Sequence, residues 1–539
     1  MRKDVVALIL GAIVLLLIIP LTVAMLVTII MDDPMTGLKG FVIPITVAGI
    51  LGYCLLTFFV RPDTNERLRD SEAFAAVALA WPVAVAIGAL PYWLTGVFNG
   101  PFTDGATLAD IARGAVNSWF EAMSGFTTTG ASVIDWRMSP NCQITTPDCL
   151  AAQPKGVLLW RSVTQWLGGM GIIMIGMVLL ARILGGGMSL ARAELTGPSL
   201  SRLRPRLQET AIVLWAIYIG LTLLEIILLF TAGGMSGFDA INHGLTTMPS
   251  GGFSTHDANI AYYDSVAVET IIIAFMFLAG VNFSLLALFV DREWKRVFLD
   301  EELRYYTAIL LICVVFTAVV LQFSGWEIGQ AIRNSAFTII SIGTSTGYVS
   351  TDYSGTPWPT VILLILLFLM VMGASAGSTS GGLKVLRFNL AIKVALRELT
   401  RIVNPRQVKT IRMNGEVIEE DFISLIVGML IVWMGLFILS SLVLAVCLPG
   451  HSFETIISVV ASSLGNTGPA LGSFGATDNW SSMNTPALLW TSVLMWLGRL
   501  ELLTVLILLH PRTWHNEERE VGTDKASLRK FRKLFKRGD

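Results

Sequence analysis

Four short runs constrain this chain more than anything else in it. They are Ser124-Gly125-Phe126-Thr127-Thr128-Thr129-Gly130-Ala131, Thr246-Thr247-Met248-Pro249-Ser250-Gly251-Gly252-Phe253, Ser341-Ile342-Gly343-Thr344-Ser345-Thr346-Gly347-Tyr348 and Ser463-Leu464-Gly465-Asn466-Thr467-Gly468-Pro469. Each is built of hydroxyl and small residues, contains a glycine near its end, and lies between two apolar segments. Internal repetition on this scale decides an architecture before any local feature does. One such run alone reads equally well as an ordinary loop between helices. Four at equivalent places read as the walls of a single pathway.

The apolar segments around them set the solvent. Of 539 residues, 54% are hydrophobic and 14% charged, with mean hydropathy +0.68; a soluble chain carries about 25% charged residues. Apolar runs of roughly 20 residues recur along the whole length, the signature of a polytopic helical membrane protein. A β-barrel would show short alternating segments instead. The first run, 5–31, follows Arg2 and Lys3 but is too long for a signal-peptide core, so it reads as a retained helix. A second helix over 41–60 and a basic loop over 61–70 complete a two-helix preamble, 1–70. Then one unit repeats four times: apolar helix, short amphipathic helix, glycine-ended run, second apolar helix. The units cover 71–208, 209–302, 303–420 and 421–510, and a basic tail occupies 511–539. The short segments, 108–123, 238–247, 326–342 and 452–464, cannot cross a hydrocarbon core of ~30 Å and read as re-entrant pore helices. The second apolar helices are expected over 156–184, 265–290, from 358 onward, and over 485–509. The fold class is thus all-α and polytopic, with ten transmembrane helices and four pseudo-repeats around one pore.

Charge distribution orients it. An even number of spans puts both termini, and every loop joining one unit to the next, on one side. That side carries all 38 Lys and Arg residues except Lys39, Arg113, Arg137, Lys155, Arg161, Arg333 and Arg499. The positive-inside rule makes it the cytoplasm. The four runs then approach from the opposite side, where Asp104, Asp135, Asp148, Asp257, Asp264, Asp352 and Asp478 lie. Of the five cysteines, Cys54, Cys313 and Cys447 fall in apolar runs and read as inert packing residues. Cys142 and Cys149 share a polar loop and can pair if that loop faces an oxidising compartment.

A cation crossing a membrane must exchange its hydration shell for fixed oxygens, which rings of backbone carbonyls supply. Glycine permits the extended backbone that exposes them. Each short helix would also aim its partially negative C-terminal end at the ion. One further run departs from the repeat. From Trp358 to Arg401 a continuous helix would measure about 66 Å, twice a span. Its middle reads Gly373-Ala374-Ser375-Ala376-Gly377-Ser378-Thr379-Ser380-Gly381-Gly382, which has poor helix propensity. No Gly-Lys-Ser/Thr follows at phosphate-loop spacing. A non-helical loop below the filter, acting as a movable barrier, is the sharper reading; a bent helix is the plainer one. Arg499 lies in the apolar segment 488–509, where a charge needs a cavity or a partner. Glu501, two residues on, points to a different face, so the carbonyls or hydroxyls of 373–382 are its expected partners.

These motifs carry a resemblance. The runs Thr127–Ala131, Ser250–Asp257, Thr344–Tyr348 and Asn466–Pro469, together with Arg161-Ser162-x-x-Gln165-Trp166-Leu167-Gly168-Gly169-Met170-Gly171, are similar to those of the TrkH/KtrB/HKT potassium transporters. The resemblance covers essentially the whole chain, and the two additional N-terminal helices bring it nearest the TrkH branch. It implies potassium uptake through a channel-like pore in the bacterial inner membrane, with both termini cytoplasmic. K+ would be the transported ion, with no organic cofactor in this chain. By family position Thr128, Thr129, Gly130, Ser250, Gly251, Gly252, Ser345, Thr346, Gly347, Asn466, Thr467 and Gly468 would contact the ion. The same resemblance implies an intramembrane gating loop at 373–382, a homodimer, and a cytosolic TrkA-type ring binding NAD(H) or ATP/ADP. The copies depart from symmetry at Pro249, Tyr348 and Asn466.

Other polar groups read more plainly. Glu225 is conspicuous inside a helix, and a buried, hydrogen-bonded carboxyl is an equal reading. Arg113 and Arg333 would orient the short helices or reach the surface, and His243 would be a structural histidine. No catalytic constellation or ATPase motif is present, and no nucleic-acid partner is expected. The partners are the lipid bilayer and the subunits above. The rival mechanisms keep the fold: a proton- or sodium-coupled symporter, or the channel-like subunit of an ATP-driven pump.

Overall fold

The computed structural model describes residues 3–58, 70–171, 207–354, 358–407 and 410–500. The basic loop at 61–69, the later part of the helix expected over 156–184, Glu501 and the tail 511–539 lie outside the described residues.

Within them, six helices are long and apolar enough to cross a membrane: Val6–Met31, Pro34–Phe58, Ala75–Leu94, Ala211–Thr231, Glu301–Phe323 and Glu420–Cys447. The chain is therefore an integral membrane protein. Five of the six leave most of their surface outside the protein, with Phe58, Phe323 and Val446 each about four-fifths exposed or more. In lipid such faces meet their own kind. Ala75–Leu94 is the exception, two-thirds buried, because its alanine-rich sequence lets neighbouring helices close in on every side. The first span is interrupted at Leu17, between Lys3–Leu16 and Ile18–Met31. Pro20 lacks the N–H that Leu16 would accept.

One expected helix is corrected. The helix expected over 265–290 is two, Val266–Ala279 and Phe283–Val290, turned 101° at Gly280-Val281-Asn282. Counted together they make a seventh candidate span. In the third unit Thr360–Met372 ends at Gly373 (φ 66°), and helix resumes only at Val385–Val403. The run 373–384 between them is non-helical.

Four shorter helices lie inward: Leu108–Phe126, Gly237–Thr247, Ile328–Gly343 and Phe453–Gly465. At 1.5 Å per residue they are about 16–28 Å long. Their starts follow capping chemistry. Thr107 and Asp110 form a reciprocal capping box, and Ser236 and Ser452 accept from Asp239 and Thr455 N–H groups. Their C-terminal ends are largely buried, in Gly125, Thr246, Ser341 and Ser463 among others. Small side chains there let four helix ends converge.

Candidate functional site

The four helices end alike. At the first residue past a helix end, or within two of it, the backbone turns left-handed: Thr128 (φ 52°), Ser250 (57°), Ser345 (53°) and Asn466 (50°). The next N–H donates five residues back, Thr129 to Ser124 O, Gly251 to Thr246 O, Thr346 to Ser341 O and Thr467 to Ser462 O, at 2.9–3.0 Å. This is Schellman closure, which ordinarily places glycine at the left-handed position. Two residues on, glycine takes positive φ each time: Gly130 (85°), Gly252 (75°), Gly347 (78°) and Gly468 (98°).

Those glycines close a ring. A Cβ on Gly130 would stand 2.2 Å from Gly251 O, and one on Gly252 only 1.9 Å from Thr346 O. On Gly347 it would meet Thr467 O at 1.9 Å, and on Gly468, Thr129 O at 2.5 Å. Each run thus lies against the carbonyl of the next, and the fourth returns to the first. All twelve residues expected at the ion path sit in these turns. The ring opens on one side into a cavity of about 330 Å³, lined by the four glycines and by Asp135, Asp257 and Asp478. The carbonyls are not equivalent: Gly251 O also accepts from Gln165 Nε2 at 2.7 Å, and Asn466 Nδ2 crosses to Thr129 Oγ1 at 3.0 Å.

The left-handed side chains point to the other side. Ser250 Oγ lies 3.0 Å from Thr379 Oγ1, Ser345 Oγ lies 2.9 Å from Ser380 Oγ, and Gly381 N–H donates to Ser345 Oγ at 2.7 Å. Thr128 Oγ1 accepts from Arg499 at 3.1 Å. These hydroxyls therefore hold the non-helical run and its arginine. The run reaches the break in the second unit as well. Phe283 N–H donates to Gly377 O at 3.0 Å and Ser375 N–H to Gly280 O at 3.1 Å, so the 101° bend is where the run is seated. Gly373 and Gly381 are packed backbone to backbone, a Cβ on Gly373 falling 2.2 Å from Gly381 O.

Arg499, at the end of helix Thr485–Arg499, donates to Thr379 O at 2.6 Å, as a partner within the run. It also donates to Gly168 O at 2.8 Å and Gly169 O at 2.7 Å. Lys384 follows the run closely. It is buried rather than solvated, adopts φ 75°, and its Nζ donates to Ser380 O. Arg387 is buried beside it, on Leu383 O at 3.0 Å. Two carbonyls of this run, Thr379 O and Ser380 O, thus accept from fixed cations of the protein. A charged residue close after a glycine-rich break was the signal available for Lys384.

Around the ring, Arg161 pairs with buried Glu121 at 2.6 Å, donates to Ser254 O at 2.9 Å, and lies 3.6 Å above the Phe253 ring. Glu121 in turn accepts from Ser132 Oγ and Val133 N–H, both at 3.0 Å. This buried pair ties the first turn to the second. The two charges in otherwise apolar helices announced it, although their pairing across forty residues did not. Asp257 accepts from Cys149 N–H at 2.6 Å and Leu150 N–H at 3.1 Å. His256 sits 2.7 Å from Asp148 and stacks on Tyr262 at 3.6 Å. Burial works against its charge, but Asp148 and Asp239 prevail and hold His256 up to about 9. Cys142 and Cys149 are disulfide-bonded, with Cα atoms 5.6 Å apart.

The remaining polar groups have defined places. Arg113 binds Thr485 Oγ1 at 2.8 Å and Arg333 binds Glu269 at 2.8 Å. His243 lies 2.8 Å from Asp239 O and 3.1 Å from Ser254 Oγ. Glu225 is fully buried, and its carboxyl lies against the Thr247 hydroxyl without hydrogen-bond geometry.

Fold and site together define a polytopic helical membrane protein organised around a ring of backbone turns with a cation-tied loop on one face. The chain belongs to the TrkH family of cation transport proteins, whose family model matches residues 106–516. It is 33% identical over 509 residues to the Trk system potassium uptake protein TrkH of Halomonas elongata, covering 94% of this chain and 98% of that one. It is 36% identical over 475 residues to TrkH of Escherichia coli K12, covering 85% and 91%. The crystal structure of the potassium transporter TrkH from Vibrio parahaemolyticus superposes with a TM-score of 0.79 at 30% identity, over 96% of this chain and 100% of that one.

Proposed function

We propose that this chain takes up potassium across the bacterial inner membrane through a central pore. The units 71–208, 209–302, 303–420 and 421–510 each contribute two of ten spans, one pore helix and one filter wall; 1–70 supplies the other two spans. Both termini are cytoplasmic. The observation that carries this reading is the closed cyclic order of the four turns, each glycine against the next carbonyl. A ring of carbonyls in a membrane interior replaces the hydration shell of a monovalent cation, and the names of the relatives favour potassium. Thr128 to Gly130, Ser250 to Gly252, Ser345 to Gly347 and Asn466 to Gly468 form the filter. The run Gly373 to Gly382 with Arg499 forms the gate, since two of its carbonyls, Thr379 O and Ser380 O, are held by cations of the protein itself. The chain works as the membrane subunit of a Trk system, as a homodimer on a cytosolic TrkA-type ring that binds NAD(H) or ATP/ADP.

The test is flux from purified protein in liposomes under potassium, rubidium or sodium gradients, with and without the cytosolic partner. Potassium and rubidium are expected to move passively down their gradients. No flux down a gradient with the partner present would replace the channel reading with coupled transport.

A further inference from the structure

After helix Val385–Val403 the chain forms a two-stranded hairpin, Arg412–Met413 against Glu416–Val417, closed by Ile418 N–H on Ile411 O at 2.9 Å. Its tip is Asn414-Gly415, at φ 50° and 83°. An isolated hairpin this short is unstable in water, so its contacts hold it. Ile411 and Met413 are buried in one cluster with Ala376, Leu386, Leu390, Ile423 and Ile426. Ala376 belongs to the non-helical run, so the hairpin and the run share one apolar cluster.

The tip makes a second, polar connection to the same residue. Asn414 Nδ2 donates to Asp300 at 2.9 Å, and Asn414 Oδ1 accepts from Glu301 N–H at 2.8 Å. Lys393 reinforces the junction, donating to Glu301 at 2.7 Å and to Arg412 O at 2.9 Å. Asp300 caps helix Glu301–Phe323 by accepting from Leu303 N–H at 3.0 Å. The next residue, Glu302, is buried and accepts from Ala376 N–H at 2.5 Å. A clamp on Asp300 and Glu301 fixes where the Glu302 carboxylate stands. Two routes, one apolar and one polar, thus run from the hairpin to Ala376.

We propose that this hairpin is the handle of the gate. Asn414 is a positioning residue: through Asp300 and Glu301 it sets Glu302, which holds the run at Ala376 in its occluding place. The ring-side hydroxyls grip the run from one face and Glu302 grips it from the other. A displacement of the hairpin releases only the second grip, leaving the filter turns intact. The inference rests on the reading of 373–382 as the gate.

The experiment uses full-length protein in liposomes, with rubidium uptake and amide exchange measured on the same preparations. Asn414→Gly keeps the left-handed turn while deleting the clamp. It is expected to raise basal uptake about five- to tenfold, the scale of one or two lost hydrogen bonds, and to speed exchange at 373–382 but not at the four filter turns. Asn414→Asp, which keeps the turn but loses the donor to Asp300, should act in the same direction and is read if the glycine variant fails to fold. Combined with Glu302→Ala, Asn414→Gly should add nothing further, because both act through one contact. Wild-type uptake in folded Asn414→Gly and Asn414→Asp, or additivity with Glu302→Ala, overturns the handle. A variant lacking residues 375–378 separates the two ideas: if it conducts no more than wild type, the gate reading itself fails.

Discussion

Removing the Arg499 guanidinium is expected to raise basal conduction, and the structure sets the scale. Arg499 donates to Thr128 Oγ1, Gly168 O, Gly169 O and Thr379 O, and the bond to Thr379 O, at 2.6 Å, holds the non-helical run. A hydrogen bond from a charged donor contributes about 1.5–3 kcal/mol, so its loss shifts a closed-to-open equilibrium by roughly ten- to hundredfold. The charge has a second effect in the same direction. A permeating cation passing at ~5 Å would feel about 3 kcal/mol of repulsion at an effective dielectric near 20. Arg499→Ala removes both, while Arg499→Lys keeps the charge but not the fork that spans Thr379, Gly168 and Gly169. The order of basal rubidium uptake in liposomes should therefore be Ala above Lys above wild type. Because Gly168 O and Gly169 O also lose a donor, thermal unfolding and gel filtration must accompany the flux. Basal uptake in Arg499→Ala at or below wild type, from protein that unfolds at the wild-type temperature, would refute the gating role.

Three further outcomes follow from the geometry around the ring. Gly347→Ala puts a Cβ 1.9 Å from Thr467 O at a φ of 78°, so the ring should open or the protein fail to fold; potassium flux should fall at least tenfold, measured against potassium-dependent thermal stabilisation. Arg161→Met leaves Glu121 buried without its cation and should destabilise by about 3–5 kcal/mol, whereas Arg161→Met with Glu121→Leu should recover part of that loss in detergent melts. His256 is held up to about 9, so the stability its charge contributes is present in full below its usual value near 6.5 and is lost as pH rises through 9. Thermal stability should therefore fall between about pH 6.5 and 9 in the wild type, and that step should vanish in His256→Gln.

What could be read in advance divides along physical lines. The short helices and the runs after them were legible because capping residues, helix-period patterning and glycine are local signals. Gly373–Gly382 was legible for the same reason, since ten small residues cannot continue a Leu-rich helix. The break at Gly280-Val281-Asn282 was not: a single glycine and asparagine inside an apolar stretch are common in straight helices. They bend here because Gly280 O and Phe283 N–H are taken by the run from the third unit. Lys384 was hidden differently. It stands at the head of a basic stretch that the charge count treats as one loop, but its buried ammonium bonds Ser380 O. Whether a charge is a surface charge or a plug depends on contacts across the fold. Glu121 with Arg161 makes the same point from two separate helices.

The choice of residues at the left-handed positions joins these levels. Glycine would close all four Schellman turns without strain, yet Thr128, Ser250 and Ser345 stand at three of them and Asn466 at the fourth. A non-glycine residue there costs of order 1–3 kcal/mol; asparagine tolerates the conformation better. The hydroxyls of the first three bond Arg499, Thr379 and the Ser380–Gly381 segment. Asn466 instead bonds Thr129 Oγ1 and Met495 O. Replacing any of the first three with glycine would relieve the turn and leave the carbonyl ring in place, but it would release the run. Strain is thus retained at turns whose side chains bond the run or its arginine, as the proposed coupling of filter to gate requires. Ser250 and Ser345 bond the run directly, Thr128 reaches it only through Arg499, and Asn466 bonds neither.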